Sequence, residues 1–126
     1  MCETRNIAIR RILLPRDTNH RGEIFGGSIL AEIDLAGAVE ARRHTKHDVA
    51  TVAVKEVNFK RPVNVGEVVT FWTSLVRLGK TSITVKVEVE SSPDGSEAPA
   101  SVTAAEVVYV AIVRDAVTGE IAKTEI

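Results

Sequence analysis

The sequence predicts an α+β domain in which a largely antiparallel sheet packs against one long helix. Three observations predict this class. Residues 28–44 repeat apolar side chains with the 3.6-residue period of a helix. One strand-like stretch precedes the helix and four follow it, joined by short turns that favour antiparallel pairing. The clearest strand, residues 83–90, alternates apolar with polar side chains, which predicts one buried face and one solvated face.

The first strand and the loop after it precede the helix. Residues 5–14 predict the strand, and Pro15 ends it because proline donates no backbone hydrogen bond to a ladder. Residues 17–22 combine short polar side chains with a glycine, a composition typical of a loop. The pair Gly26-Gly27 then opens the helix.

The chain after the helix predicts four strands. Residues 49–59 are rich in valine, and a shift of the apolar phase predicts a bulge near Lys55-Glu56. The other segments follow in order: a turn at 60–66, a strand at 67–78, a short connection at 78–82, a strand at 83–90, an exposed and mobile hairpin loop at 91–100, a strand at 101–114, and a turn at Thr118-Gly119.

Length and composition predict a single globular domain spanning residues 1–126. Hydrophobic residues make up 44% of the chain and charged residues 26%, and both values are ordinary for a globular protein. The net charge is -1 and only five residues are aromatic. This balance disfavours nucleic acid and anionic membranes as partners.

The cysteine content and the N-terminal sequence predict a cytoplasmic protein. Cys2 is the one cysteine, so no internal disulfide can form, and its place at the start of the chain argues against a catalytic role. Residues 1–11 carry charges throughout, unlike a signal peptide. No segment approaches the roughly 20 apolar residues that span a bilayer.

Asp34 is the only acidic residue that the sequence places on the apolar stripe of the helix, one turn from Leu30 and Gly37. A carboxylate in such a place is suited to act as a general base or a nucleophile. A helix N-terminus kept bare by Gly26-Gly27 offers free N–H groups to a developing oxyanion. Together these groups suit the hydrolysis of an acyl compound, in which the carbonyl oxygen becomes negatively charged. The structural alternatives are an Asp34–arginine ion pair and a simple helix-entry turn at the glycines.

Three ordered segments carry a family resemblance. They are residues 15–29 with 32–38, the stretch Val57-Asn-Phe-Lys-Arg-Pro-Val-Asn-Val-Gly66, and the hairpin Gly79-Lys-Thr-Ser82. These motifs resemble the acyl-CoA thioesterases of the hotdog fold, both the small bacterial type and the cytosolic acyl-CoA hydrolases of animals. The resemblance covers most of the chain. It is specific for the family and uninformative about the acyl group.

The resemblance implies a hotdog fold, in which an antiparallel sheet of five or six strands wraps around one long central helix. It also implies a homodimer, commonly assembled further into a hexamer as a trimer of dimers, while the sequence itself leaves the choice between hexamer and tetramer open. Asp34 matches the catalytic aspartate of the family, Asn19 the loop asparagine that acts with it, and Gly27 the glycine whose amide polarises the thioester carbonyl. Whether Asp34 attacks the substrate or deprotonates water stays open.

Coenzyme A is the predicted leaving group, and no separate cofactor or metal is expected. Its phosphates and pantetheine arm need contacts on exposed turns, where an arginine fork suits a phosphate. The predicted coenzyme A-binding residues are Gly26, Lys60, Arg61, Lys80, Thr81 and Ser82. The charged residues in this set are otherwise ordinary surface side chains.

The spacing of Gly27 and Asp34 predicts a site shared between two subunits. The two residues are seven positions apart, which is about 10 Å along a helix. One thioester carbon cannot contact both groups of a single helix. Two antiparallel helices related by a two-fold axis would place Asn19 and Gly27 of one subunit beside Asp34 of its partner, giving two sites per dimer.

Two other functions are compatible with the same sequence. An acyl-thioester dehydratase or hydratase would need a histidine beside the acid, and His20 is the only histidine near the motif. A non-catalytic acyl-CoA binding or sensing module would have no use for an acid opposite a helix N-terminus. His20, His44 and His47 are expected to be solvated rather than catalytic.

Overall fold

The computed structural model describes residues 4–93 and 98–126. Cys2 and the centre of the hairpin loop predicted at 91–100 lie outside these residues. Within them the chain forms one long helix and six strands: β1 (Asn6–Ile12), α1 (Gly26–Ala41), β2 (Asp48–Lys55), β3 (Val68–Leu78), β4 (Ser82–Ser92), β5 (Ala100–Arg114) and β6 (Ile121–Lys123).

The six strands form one sheet with every neighbouring pair antiparallel. The order is β1-β3-β4-β5-β2, and β6 pairs with the end of β5. This arrangement confirms the predicted sheet of five to six antiparallel strands. β6 was not predicted, because a strand of three residues has too few positions to show an alternating pattern. β1 and β2 lie at the edges of the sheet.

α1 packs along one face of the sheet and contacts β1, β2, β3, β4 and β5. The four apolar side chains of β4, Ile83, Val85, Val87 and Val89, are fully buried against it. Burying each contributes about 1.5–3 kcal/mol relative to exposure. The opposite face of β4 is less solvated than predicted, since Thr84 is also buried. The helix is shorter than predicted: it ends at Ala41 and is followed by a 3-10 turn at Arg42–His44.

The strand predicted at 49–59 ends earlier, at Lys55, and the predicted bulge near Lys55-Glu56 is wrong. Glu56 has a φ of 49°, a left-handed conformation that no extended strand contains. The register shift against β5 lies between Thr51 and Ala53. The valine-rich sequence could not locate this bulge because apolar residues occupy both phases around it.

Asp34 is not the only acid on the buried side of α1, so that expectation is wrong. Glu32 is 7% exposed and its carboxylate accepts a 2.7 Å hydrogen bond from Arg11. Glu40 is 3% exposed and accepts hydrogen bonds from Asn6 Nδ2 at 3.2 Å and Thr73 Oγ1 at 3.0 Å, with His44 Nε2 at 2.8 Å. These partners compensate the cost of burying each carboxylate.

We expect Glu40→Gln to flatten the acid dependence of stability. Burial raises the pKa of Glu40, but hydrogen bonds from His44, Asn6 and Thr73 outweigh it and hold that pKa below its ordinary value of 4.5. The folded state therefore gains stability above this ordinary value and loses it as the pH falls further. Urea titrations should give Glu40→Gln an unfolding free energy about 1–3 kcal/mol lower at pH 7, with a smaller loss on acidification.

The exposed Glu106→Gln exchange is the control, because it removes one carboxylate without breaking this cluster. Its stability curve should run parallel to that of the wild type. A Glu40→Gln curve that also stays parallel to the wild type down to about pH 3.5 would contradict the assignment.

Candidate active site

The N-terminus of α1 is open. Gly26 and Gly27 are its first two residues, and Phe25 precedes them without a side-chain capping bond. Neither glycine amide donates a hydrogen bond to any residue that the structure describes. A Cβ added at Gly27 would meet nothing within 4 Å. Free amides beside open space are the arrangement that an oxyanion needs.

Asp34 lies two turns further along α1 and is half-buried. Its Oδ1 accepts a hydrogen bond of 2.7 Å from Thr51 Oγ1 and lies 3.2 Å from the Tyr109 hydroxyl. In the described part of the chain, Oδ2 has no hydrogen-bond partner. One carboxylate oxygen is thus held by the protein and the other is open for chemistry.

The Tyr109 hydroxyl also donates to the backbone carbonyl oxygen of Asp34 at 2.6 Å. Burial raises the pKa of Tyr109 well above its ordinary value of 10.0, and the neighbouring Asp34 charge and its hydrogen bond add to this shift. The phenol is therefore a protonated hydrogen-bond donor at neutral pH.

Asn19 organises the loop that leads to the helix. Its Oδ1 accepts hydrogen bonds from the backbone N–H groups of Arg21 at 2.8 Å and Glu23 at 3.1 Å. Its own backbone N–H donates to the Glu23 carbonyl at 2.6 Å. The side-chain oxygen is therefore occupied by a structural role. The Nδ2 group has no partner among the described residues and is the part of Asn19 left for substrate or water.

A cavity of about 310 Å³ brings four of the predicted residues together: Asn19, Gly26, Lys60 and Arg61 line it with apolar neighbours such as Ile29. A larger cavity of about 620 Å³ contains none of them. We place the site at the smaller cavity because it includes the helix N-terminus.

The two basic residues at this cavity differ in their availability. Lys60 forms no ion pair with a described residue, whereas Arg61 lies 3.4 Å from the Glu67 carboxylate. An incoming phosphate would have to compete with Glu67 for the Arg61 guanidinium. Lys60 is therefore the stronger candidate for a phosphate contact.

The hairpin residues Lys80, Thr81 and Ser82 connect β3 to β4 and do not line this cavity. Lys80 Nζ lies 3.5 Å from Glu125, and both side chains are highly exposed. The Thr81 carbonyl accepts a hydrogen bond from Ala111. Within one protomer, the structure does not bring this hairpin together with Gly26 and Asn19.

Thr51 and Tyr109 are the site residues that sequence reasoning missed. They pair directly across β2 and β5, and both reach the Asp34 carboxylate. Tyr109 is the only tyrosine in the chain and lies in the run 107–113, which is otherwise apolar. A lone hydroxyl-bearing aromatic in such a run was the available signal, because a buried phenol normally finds a hydrogen-bond partner.

Two of the histidines lie away from the Asp34 carboxylate. His20 is exposed and forms no hydrogen bond with the residues described, while His44 contacts Glu40. Across residues 4–93 and 98–126, no three His, Cys, Asp or Glu side chains are grouped so that they could hold a metal ion. No helix in the same ranges has the length and apolar character needed to cross a membrane.

Comparison with known proteins gives the family. The profile of the thioesterase superfamily matches residues 21–98, more than half of the chain. The acyl-CoA thioester hydrolase YciA of Salmonella typhimurium is 38% identical over 111 residues, covering 84% of this chain and 82% of that protein. A Haemophilus influenzae protein named as an uncharacterized acyl-CoA thioester hydrolase is 41% identical over 66% of this chain, and the match spans only 54% of that relative.

The structural comparison agrees. A hexameric hotdog fold thioesterase of Campylobacter jejuni superposes with a TM-score of 0.82 at 38% identity, covering 94% of this chain and 90% of that one. The predicted hotdog fold is thereby confirmed. From the sequence profile and the matching architecture, this protein belongs to the thioesterase superfamily.

Proposed function

We propose that this protein hydrolyses acyl-CoA to a free acid and coenzyme A. The observation that carries the proposal is the state of the Asp34 carboxylate, whose Oδ1 accepts from Thr51 while Oδ2 has no hydrogen-bond partner among the described residues. A carboxylate fixed in this way is prepared to activate water or to attack a carbonyl carbon. The names of the S. typhimurium and H. influenzae relatives support acyl-CoA as the substrate class.

In this proposal the Gly27 amide donates to the thioester oxygen, which becomes negatively charged as the carbonyl carbon turns tetrahedral. Asp34 Oδ2 either takes a proton from the attacking water or forms a mixed anhydride that water then cleaves. In both routes the C–S bond breaks and the coenzyme A thiolate leaves and takes up a proton. Asn19 Nδ2 is the proposed donor that orients the water or the carboxylate.

The same proposal includes a homodimer with composite sites, since Gly27 and Asp34 of one helix are too far apart to act together. Apolar side chains exposed on α1 and on edge strand β2 support a second copy as the partner. Leu35 and Val52 are each 57% exposed, and Val39 and Val54 are also exposed. A hexamer built from three such dimers is proposed by analogy with the C. jejuni thioesterase.

For coenzyme A, we propose contacts at Gly26, Lys60 and Arg61 around the cavity, and at the hairpin of Lys80, Thr81 and Ser82. Lys60 can bind coenzyme A without giving up an ion pair with a described residue. Arg61 must first give up its ion pair with Glu67, and Lys80 its ion pair with Glu125. No further cofactor is proposed, because coenzyme A belongs to substrate and product. The proposed setting is one domain working in the cytoplasm, as expected for a chain with one cysteine.

The test is release of free thiol from short, medium and long acyl-CoA by the purified protein. We expect turnover for at least one chain length, with kcat/KM in the usual range of about 10⁴–10⁸ M⁻¹s⁻¹. His20→Ala should keep this activity, since His20 is exposed and has no contact with Asp34. Stoichiometric acyl-CoA binding without thiol release would favour a binding module. Addition of water to an enoyl-CoA that depends on His20 would favour a hydratase.

A further inference from the structure

We propose that Tyr109 is a positioning residue for Asp34, acting with Thr51 to select Oδ2 as the reacting oxygen, and that Gly37 is a glycine because the Tyr109 hydroxyl occupies its side-chain space. The inference rests on the proposed thioesterase function. It assigns a role to the only tyrosine of the chain, which is 1% exposed and reaches α1 from β5.

The first step is the contact between one hydroxyl and two groups of one residue. The Tyr109 hydroxyl lies 2.6 Å from the Asp34 carbonyl oxygen and 3.2 Å from its Oδ1. Its single hydrogen is directed to the nearer carbonyl or shared between the two acceptors. A rigid phenol placed against both groups restricts rotation about the Cα–Cβ bond of Asp34, so the carboxylate keeps one orientation.

The second step is the matching hydroxyl from the neighbouring strand. Thr51 and Tyr109 are directly opposed in the β2–β5 ladder, and Thr51 Oγ1 donates to the same Oδ1 at 2.7 Å. Two hydroxyls therefore converge on Oδ1. The register of the β2–β5 pairing shifts directly after Thr51. The alternation of side chains that directs Thr51 toward α1 therefore does not continue unchanged into the following residues.

The third step is the space at Gly37, one turn after Asp34. A Cβ added there would overlap the Tyr109 hydroxyl and would lie 3.1 Å from two ring carbons. Glycine in a helix interior costs about 1 kcal/mol relative to alanine. Gly37, a residue that disfavours the helix, therefore stands where the Tyr109 hydroxyl needs space. Gly37 and Tyr109 form one unit with Asp34.

The test compares Tyr109→Phe with the wild type in acyl-CoA hydrolysis. Phenylalanine keeps the ring and removes only the hydroxyl. We expect kcat to fall about tenfold or more while KM changes less than about twofold, since binding does not use the phenol.

Thr73→Val is the matched control. It also removes a buried hydroxyl that contacts a carboxylate of α1, but that carboxylate belongs to Glu40. It should lower stability and leave kcat per folded molecule and KM unchanged. If Tyr109→Phe also leaves kcat per folded molecule unchanged, the positioning role is wrong.

The Gly37 claim has its own test in a double-mutant cycle. Gly37→Ala should lower kcat at least as much as Tyr109→Phe, because the new methyl group displaces the phenol. In the Tyr109→Phe background the same exchange should cost less activity than in the wild type, since the overlapping hydroxyl is gone and only the tight contact with the two ring carbons remains. Losses that multiply independently would overturn the link between Gly37 and Tyr109.

The side-chain rotamer of Asp34, measured from three-bond NMR couplings, separates this inference from the proposed function. The measurement needs no turnover, and we expect one χ1 rotamer in the wild type and averaging over several rotamers in Tyr109→Phe. An inactive wild type with this loss of order would overturn the thioesterase proposal and support the positioning contact. An active wild type whose Tyr109→Phe variant shows neither the rotamer averaging nor a lower kcat would overturn the positioning proposal alone.

Discussion

Asp34→Asn should lower kcat for acyl-CoA hydrolysis by about 10²–10⁴-fold, the usual contribution of a positioned base. Asparagine has nearly the same shape, and its Oδ1 can still accept the hydrogen bond from Thr51. The substitution removes the negative charge and replaces the basic Oδ2 by an amide nitrogen that cannot take up a proton. KM should change little, because the substituted group acts on the transition state. Steady-state thiol release at saturating substrate measures the effect.

Glu32→Gln is the control for this substitution. Glu32 is another acid of α1, and its carboxylate pairs with Arg11 instead of facing the site. Its removal should lower stability while kcat stays near the wild-type value. Comparable losses in Glu32→Gln and Asp34→Asn would show that any disturbance of the helix reduces turnover. Wild-type turnover in Asp34→Asn would show that the carboxylate has no role in the mechanism.

Mixing two inactive variants should restore activity if the site is shared between subunits. Gly27→Pro removes the amide proposed to bind the oxyanion, and proline is tolerated in the first turn of a helix. Refolded together with Asp34→Asn in equal amounts, half of the dimers are mixed, and each mixed dimer contains one intact site of two. The expected recovery is about a quarter of the wild-type activity.

Gly27→Ala is the matched control for the proline variant. It keeps the amide, and its methyl group meets no atom within 4 Å in the protomer. It should therefore retain far more activity than Gly27→Pro. If the mixed sample stays inactive although mass spectrometry shows mixed dimers, the two groups act within one chain. The composite site would then be wrong.

The sequence predicted the elements whose periodicity is unbroken. The helix follows from its repeated apolar rows, and residues 83–90 form a strand because alternation places every second side chain in the core. The helix N-terminus at Gly26 was found because glycine pairs interrupt a regular pattern. Asn19 and the helix N-terminus line the same cavity. The family motif predicted that they act together, whereas their spacing in the sequence alone did not.

The contacts that surround the carboxylates could not be predicted. Thr51 and Tyr109 reach Asp34 from strands whose runs are apolar in both phases, so nothing in the pattern fixes which side chains face the helix. The burial of Glu40 was not predicted. Its partners Asn6 and Thr73 are more than 30 positions away in the chain, and only the folded sheet brings them together.

β2 also has a consequence for the life of a newly made chain. It is an edge strand, its outer N–H and C=O groups have no partner strand among the described residues, and Val52 and Val54 are exposed beside them. Such an exposed sheet edge is prone to aggregation, because another polypeptide can pair with it as a further strand. A lone protomer is thus poorly protected against aggregation during synthesis, and the homodimer proposed above would protect this edge if two copies of β2 paired.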